Sequence, residues 1–167
     1  MCIKEIWTRV GTDAEQIKIV FAIIAAGYVL FEYHSSLTDA AIKQTMSFQA
    51  RYSEGDLLKA HLDLDSMLLN PDNQKILNAA AKPSEEITRL VMSNKYDRDV
   101  AILADFFSQL GTCVQSGVCQ LETTCAVFKS HIVALWNNYS DLFMQRWGTW
   151  GQNLMKPTFD YFDRSCR

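Results

Sequence analysis

The chain has 167 residues, 49% hydrophobic and 21% charged, with a formal net charge of -3 at neutral pH. These values exclude a disordered chain, and with no Lys/Arg block there is no electrostatic case for nucleic-acid binding. Seven glycines and three prolines are few breakers for this length, so long helices are expected rather than sheets and turns, in one domain or one domain plus an anchor.

The first signal is Thr12-Asp13-Ala14-Glu15, which has the form of a capping box and predicts a helix start. The threonine hydroxyl can accept from a free N–H, the glutamate can reach back, and both acids suit the positive end of the helix dipole. The helix then passes through Gln16, Ile17 and Lys18 into the run Ile19–Phe31, which holds no charged residue. From Ile17 to Phe31 the rise is roughly 22 Å, short of the ~30 Å hydrocarbon core of a bilayer. Length alone therefore favours a core helix or the apolar part of a signal peptide. Against a cleaved signal stand the bulky segment Leu30–Ser35 at the end of the run and the acids before it. In favour of a span, the run is apolar all round, Lys18 can snorkel, and Trp7, Tyr28, Phe31 and Tyr33 suit an aromatic belt. The expected organisation is an N-terminal segment and transmembrane anchor over 1–35, followed by an extramembrane helical domain over 36–167. The alternative is a soluble helical bundle with the run as its core helix. Ala22, Ala26 and Gly27 form a small-residue face through which a second membrane helix can approach closely.

Beyond the run, Leu37, Ala41, Ile42, Thr45, Phe48 and Tyr52 recur at helical spacing, so the first helix is expected to continue to Tyr52 and to end at Ser53-Glu54-Gly55. Asp56–Leu69 is the next helix. Asn70-Pro71 starts a short one with Asn70 as cap, and Lys82-Pro83 starts another over Ile87–Met92. Asp97–Gln115 carries Val100, Leu103, Phe107, Leu110 and Val114 on one stripe, broken by Ser116-Gly117. Leu121, Cys125, Phe128, Ile132 and Leu135 form a stripe on the following helix, and Tyr139–Trp147 reads as a further one. Gly148 and Gly151 loosen the chain, and Pro157 is expected to open an aromatic tail, Phe159–Phe162. The fold class expected is all-α: one N-terminal transmembrane helix and a small helical bundle.

The segments Ala101–Gly111, Val114–Gly117 and Leu135-Trp136 before Arg146 resemble an uncharacterised bacterial family of membrane-anchored helical proteins. Its members share a hydrophobic helix ending near a Phe-Phe pair, a glycine turn and a helix with a tryptophan. The resemblance implies an anchored all-α fold and supplies no activity. Cys113, Cys119 and Cys125 stand where that family has apolar or acidic residues.

Lys4, Arg9 and Lys18 lie before or at the start of the run, and no Lys or Arg follows before Lys43. The positive-inside rule then places the N-terminus in the cytoplasm and the main domain in the periplasm, with the anchor in the inner membrane. Four of the five cysteines, Cys113, Cys119, Cys125 and Cys166, lie in the extramembrane part. Cys113 and Cys119 flank a turn and can come within disulfide reach, which would leave Cys125 and Cys166 to pair; disulfides persist in such a compartment. Four cysteines allow three pairings, and the alternative is four reduced thiols with Cys125 as a small core residue.

Other chemistry is not expected. Cys113, Cys119 and Cys125 lack the short spacing of a zinc site. His61, Asp63 and Asp65 are expected to spread around a helix without converging, and no calcium-loop glycine or terminal glutamate accompanies them. No nucleophile elbow, phosphate loop or H-E-x-x-H is present, so neither catalytic residues nor a cofactor are expected. Trp147, Trp150, Phe159 and Tyr161 belong to an aromatic C-terminal segment that can serve as core or as a partner surface. The expected function is that of a non-catalytic single-pass accessory subunit, whose partners are the lipid bilayer and other membrane-protein subunits. The alternative is an anchored redox-responsive or sensory module that uses its cysteines.

Overall fold

The computed structural model describes the backbone of residues 3–166 and the side chains of 18–149, 151, 153 and 155–166. Among these residues the fold is all helix, without a strand: α1 Ile3–Tyr52, α2 Gly55–Leu69, α3 Pro71–Ala79, α4 Pro83–Asn94, α5 Asp97–Gln115 and α6 Leu121–Ser165. The chain divides into two compact units, Met1–Ala40 and Ala41–Arg167.

The first unit holds most of α1. Within α1, Lys18–Tyr52 is long and apolar enough to cross a membrane by length and composition. The helix starts earlier than expected. α1 begins at Ile3, so Thr12–Glu15 lie within the helix rather than at its start. No proline interrupts residues 3–11, and a capping motif without a break before it does not stop a helix that can propagate.

The second unit has its own core. The stripe expected on α5 is buried throughout: Val100, Leu103, Phe107, Leu110 and Val114, joined by Phe106. It faces Phe128, Ile132, Leu135, Leu142 and Phe143 of α6. α4 adds Leu90 and Val91, α2 adds Leu64 and Met67, and the last turns of α1 add Thr45 and Phe48. Each fully buried phenylalanine contributes about 2–3 kcal/mol over an exposed one. Element ends follow local chemistry. Asp72 N–H donates to Asn70 Oδ1 at 2.9 Å, with Pro71 in the first turn, as the sequence predicts. Gln120 N–H at the head of α6 donates to Thr45 Oγ1 at 3.0 Å, which fixes the start of that helix to α1.

The C-terminal third differs from the expected pair of helices and loose tail. Leu121 to Trp147 is one unbroken helix, since nothing between Leu135 and Tyr139 breaks it. At Gly148 (φ 53, ψ -135) the chain leaves helical geometry, then resumes it and runs back along its own first arm. Trp136 stacks on Phe159 with ring centroids 5.4 Å apart, and the Lys129 ammonium donates to the Cys166 carbonyl. Helix continues through Pro157 rather than starting there. Pro157 and Asn153 are both exposed, so water can take the carbonyl that the proline leaves without a donor.

Gly111 sets how closely α5 and this returning arm approach. A Cβ there would stand 2.9 Å from both Cγ2 and Oγ1 of buried Thr158. Gly111→Leu is expected to lower unfolding stability by about 2–3 kcal/mol, read from the urea midpoint. Gly111→Ala should be partly rescued by Thr158→Ala; a double-mutant cycle with no coupling would remove the explanation.

Candidate functional site

Three features outside routine packing are candidates for function: an uncovered apolar segment, two cysteine pairs, and a group of titratable rings.

The apolar segment comes first by size. Every described side chain from Lys18 to Leu37 is exposed. Phe31 is 73% exposed, Phe21 and Leu30 68% each, and Ile23 66%. Ala22, Ala26 and Gly27 are as uncovered as the rest; a Cβ on Gly27 would meet nothing within 4 Å. A contiguous apolar surface of this kind is far larger than water-facing monomers expose. Leaving it in water forgoes the burial energy of each side chain.

The cysteines form two close pairs. Cys113 and Cys119 have sulfurs 2.06 Å apart and Cα atoms 5.2 Å apart; Cys125 and Cys166 have sulfurs 1.92 Å and Cα atoms 5.4 Å apart. Both are at disulfide distance, in the pairing that flanking the Ser116-Gly117 turn suggested. The first pair closes the α5–α6 turn, where Cys119 N–H and Val118 N–H both donate to the Cys113 carbonyl at 3.0 Å. The second fastens the returning arm of α6 to the start of its outgoing arm.

The third feature was missed at the level of sequence. His61 and Asp65 were expected not to converge, but residues four apart on a helix share a face. His61 Nε2 lies 3.3 Å from Asp65 Oδ2. His131, six residues from Cys125 and therefore off its face, turns instead toward α1 and α2. The Tyr52 hydroxyl stands 3.4 Å from His131 Nδ1, and the His61 and His131 rings are 5.6 Å apart, edge to face. Burial, reinforced by the His61 charge and opposed by Asp65, holds the His131 imidazole below its ordinary pKa. Tyr139 of the same helix is pushed well above the ordinary phenol value, first by burial and then by Asp65.

Of the aromatic residues offered as a partner surface, Trp147 is half-buried with its ring 5.6 Å from Phe143. Phe159 is half-buried on Trp136, and Tyr161 is half-buried against Phe162. The Trp150 side chain lies outside the described residues. The glycines that were expected to loosen this region instead turn it back on the core. No group of three or more His, Cys, Asp or Glu side chains able to hold a metal occurs among the described residues. An open cavity of about 540 Å3 between the end of α5 and the returning arm is lined by Gln115, Asn153, Lys156, Asp160, Tyr161 and Arg164. Its side chains are partly tied within the arm: Lys156 Nζ pairs with Asp160 at 2.9 Å, and Arg164 Nε donates to the Asp160 carbonyl at 2.8 Å.

The chain matches no family model, no curated protein and no solved structure.

Proposed function

We propose that the protein is a non-catalytic accessory subunit of a membrane-protein complex, held by the apolar segment of α1 and presenting the helical unit beside the bilayer. The observation that carries this reading is the uncovered surface of residues 19–37. A core helix would be buried, and this one is exposed on all sides. The side chains of Ile19, Val20, Phe21, Ile23, Ile24, Val29, Leu30 and Phe31 together favour insertion by about 2–5 kcal/mol. The basic residues Lys4, Arg9 and Lys18 before the run support a cytoplasmic N-terminus and a helical unit outside, in the periplasm if the host is bacterial. Two cysteine pairs at disulfide distance accord with an oxidising compartment. Ala22, Ala26 and Gly27 offer the closest approach to a neighbouring membrane helix.

The test is extraction. The full chain should stay with membranes through alkaline washing and need detergent to dissolve. Residues 36–167, which contain the core, should be soluble and monomeric and should no longer recover the partners that co-purify with the full chain from mild detergent. A full chain that is monomeric in plain buffer would overturn the anchor. Partners recovered equally without residues 1–35 would overturn its role in assembly.

A further inference from the structure

Two of the three histidines in the chain meet each other in the bundle. His61 comes from α2 and His131 from α6, both half-buried. Tyr52, the last residue of α1, lies against both, with ring centroids 5.5 Å from His61 and 5.2 Å from His131. On its other sides Tyr52 contacts the rings of Phe106, Phe107 and Phe128 at 5.5 to 5.8 Å. The last turn of α1 is therefore seated by a ring with hydrocarbon on one side and imidazoles on the other.

The ionic groups around this seat are few. From α1, the Arg51 guanidinium lies 5.4 Å from the Phe48 ring centroid and 5.9 Å from that of Phe106. From α2 come His61 and its partner Asp65. From α6 come His131 itself and buried Tyr139. α5 faces the seat with the rings of Phe106 and Phe107. One partly exposed carboxylate thus answers two imidazoles, and His61 holds it directly. With both imidazoles neutral, His131 can exchange a hydrogen bond with the Tyr52 hydroxyl. With both charged, two cations stand 5.6 Å apart in a half-buried setting.

We propose that His61, His131 and Tyr52 form a proton-operated latch: the neutral pair seats the last turns of α1 on the bundle, and protonation of His131 beside charged His61 releases them. The direction follows from linkage. A histidine whose folded pKa lies below its unfolded value of about 6.5 contributes stability that is complete above that pH. The contribution is lost as pH falls from there through the folded pKa. The latch lies wholly within the unit Ala41–Arg167 and does not depend on whether the apolar run sits in lipid.

The experiment uses the full chain in mild detergent. Amide exchange over 45–52, corrected for the intrinsic pH dependence of exchange, is compared at pH 7.5 and 5.5 with exchange over α4 as an internal reference. The α1 segment should open more on acidification while α4 does not, by at most about tenfold per pH unit for one added proton. His131→Gln should remove the acid response. His61→Gln keeps His131 but withdraws the second cation, and should shrink the response; it decides the matter if His131→Gln fails to fold. Acid opening that persists unchanged in His61→Gln, or that loosens α4 and α1 equally, would overturn the latch. So would an imidazole NMR titration placing His131 at or above the ordinary histidine value.

Discussion

Replacing Cys125 and Cys166 together by alanine is expected to lower the unfolding free energy by about 4 kcal/mol, the largest single loss in the helical unit. The pair spans a sequence separation of 41, and the chain entropy that such a cross-link removes from the unfolded state grows with the loop it closes. The shorter loop of Cys113 and Cys119, with a separation of 6, is worth about 2 kcal/mol by the same relation. In a thermal scan the difference should be plain. Loss of the long-loop pair lowers the melting temperature by on the order of 15 °C, and loss of the short-loop pair by roughly half that. The long-loop pair also holds the returning arm of α6, so its removal should first expose Trp136 and Phe159. Alkylation of the denatured protein without reductant checks the premise, because with both bonds formed only Cys2 remains to be labelled. Four further labels would show the thiols free and shift weight to the redox-responsive reading.

Gly148→Val is expected to come close behind. At φ 53 and ψ -135 the backbone occupies a region that side chains with a Cβ scarcely enter, and strain of this kind costs about 1–3 kcal/mol. A Cβ here would meet nothing within 4 Å, so the cost lies in the backbone conformation itself, which the packed returning arm keeps from changing. A Cβ on Gly151, three residues on, would stand 2.7 Å from the Phe143 carbonyl oxygen. The chain must therefore reverse at this position or give up the packing of Phe159, Phe162 and Met155. Urea titration should show a lowered midpoint, with the slope falling if the returning arm detaches from the native state. Gly55→Ala offers the contrast. Its φ of 59 also disfavours a side chain, and like Gly148 it has nothing within 4 Å of a Cβ, but it is the exposed first residue of α2 and no returning arm depends on it, so its cost should be about 1 kcal/mol. Equal losses at the two positions would mean that the reversal at Gly148 is not what holds the arm.

Both effects act through one element. The returning arm carries Phe159 and Tyr161, two of the residues expected as a partner surface, and packs them against Trp136 and Phe162. With the arm fastened both are half-buried. The apolar segment of α1 stays the larger uncovered feature, which is why the accessory-subunit reading rests on it.

Much of this could be read from residue order. The apolar run, the stripe Val100–Val114 and the Asn70-Pro71 start are local patterns with periods of a few residues. Local pattern decides whether a segment is helical and which face turns inward. The cysteine pairing was partly legible, because a turn flanked by Cys113 and Cys119 constrains their distance over six residues. The start of α1 was misplaced because a capping motif states a preference, and the helix on either side of it outweighed that preference. The reversal at Gly148 was not legible: a glycine permits a positive φ without requiring one, and only packing of the returning arm on Trp136 and Phe143 selects it. The meeting of His61, His131 and Tyr52 was out of reach for the same reason. Those residues are separated by up to 79 positions, and no periodicity links them. The sequence by itself determined an all-helical chain whose long first helix carries one uncharged apolar run. Tertiary structure alone decided which titratable groups share a half-buried seat and where the last helix turns back, because both depend on distances that only packing sets.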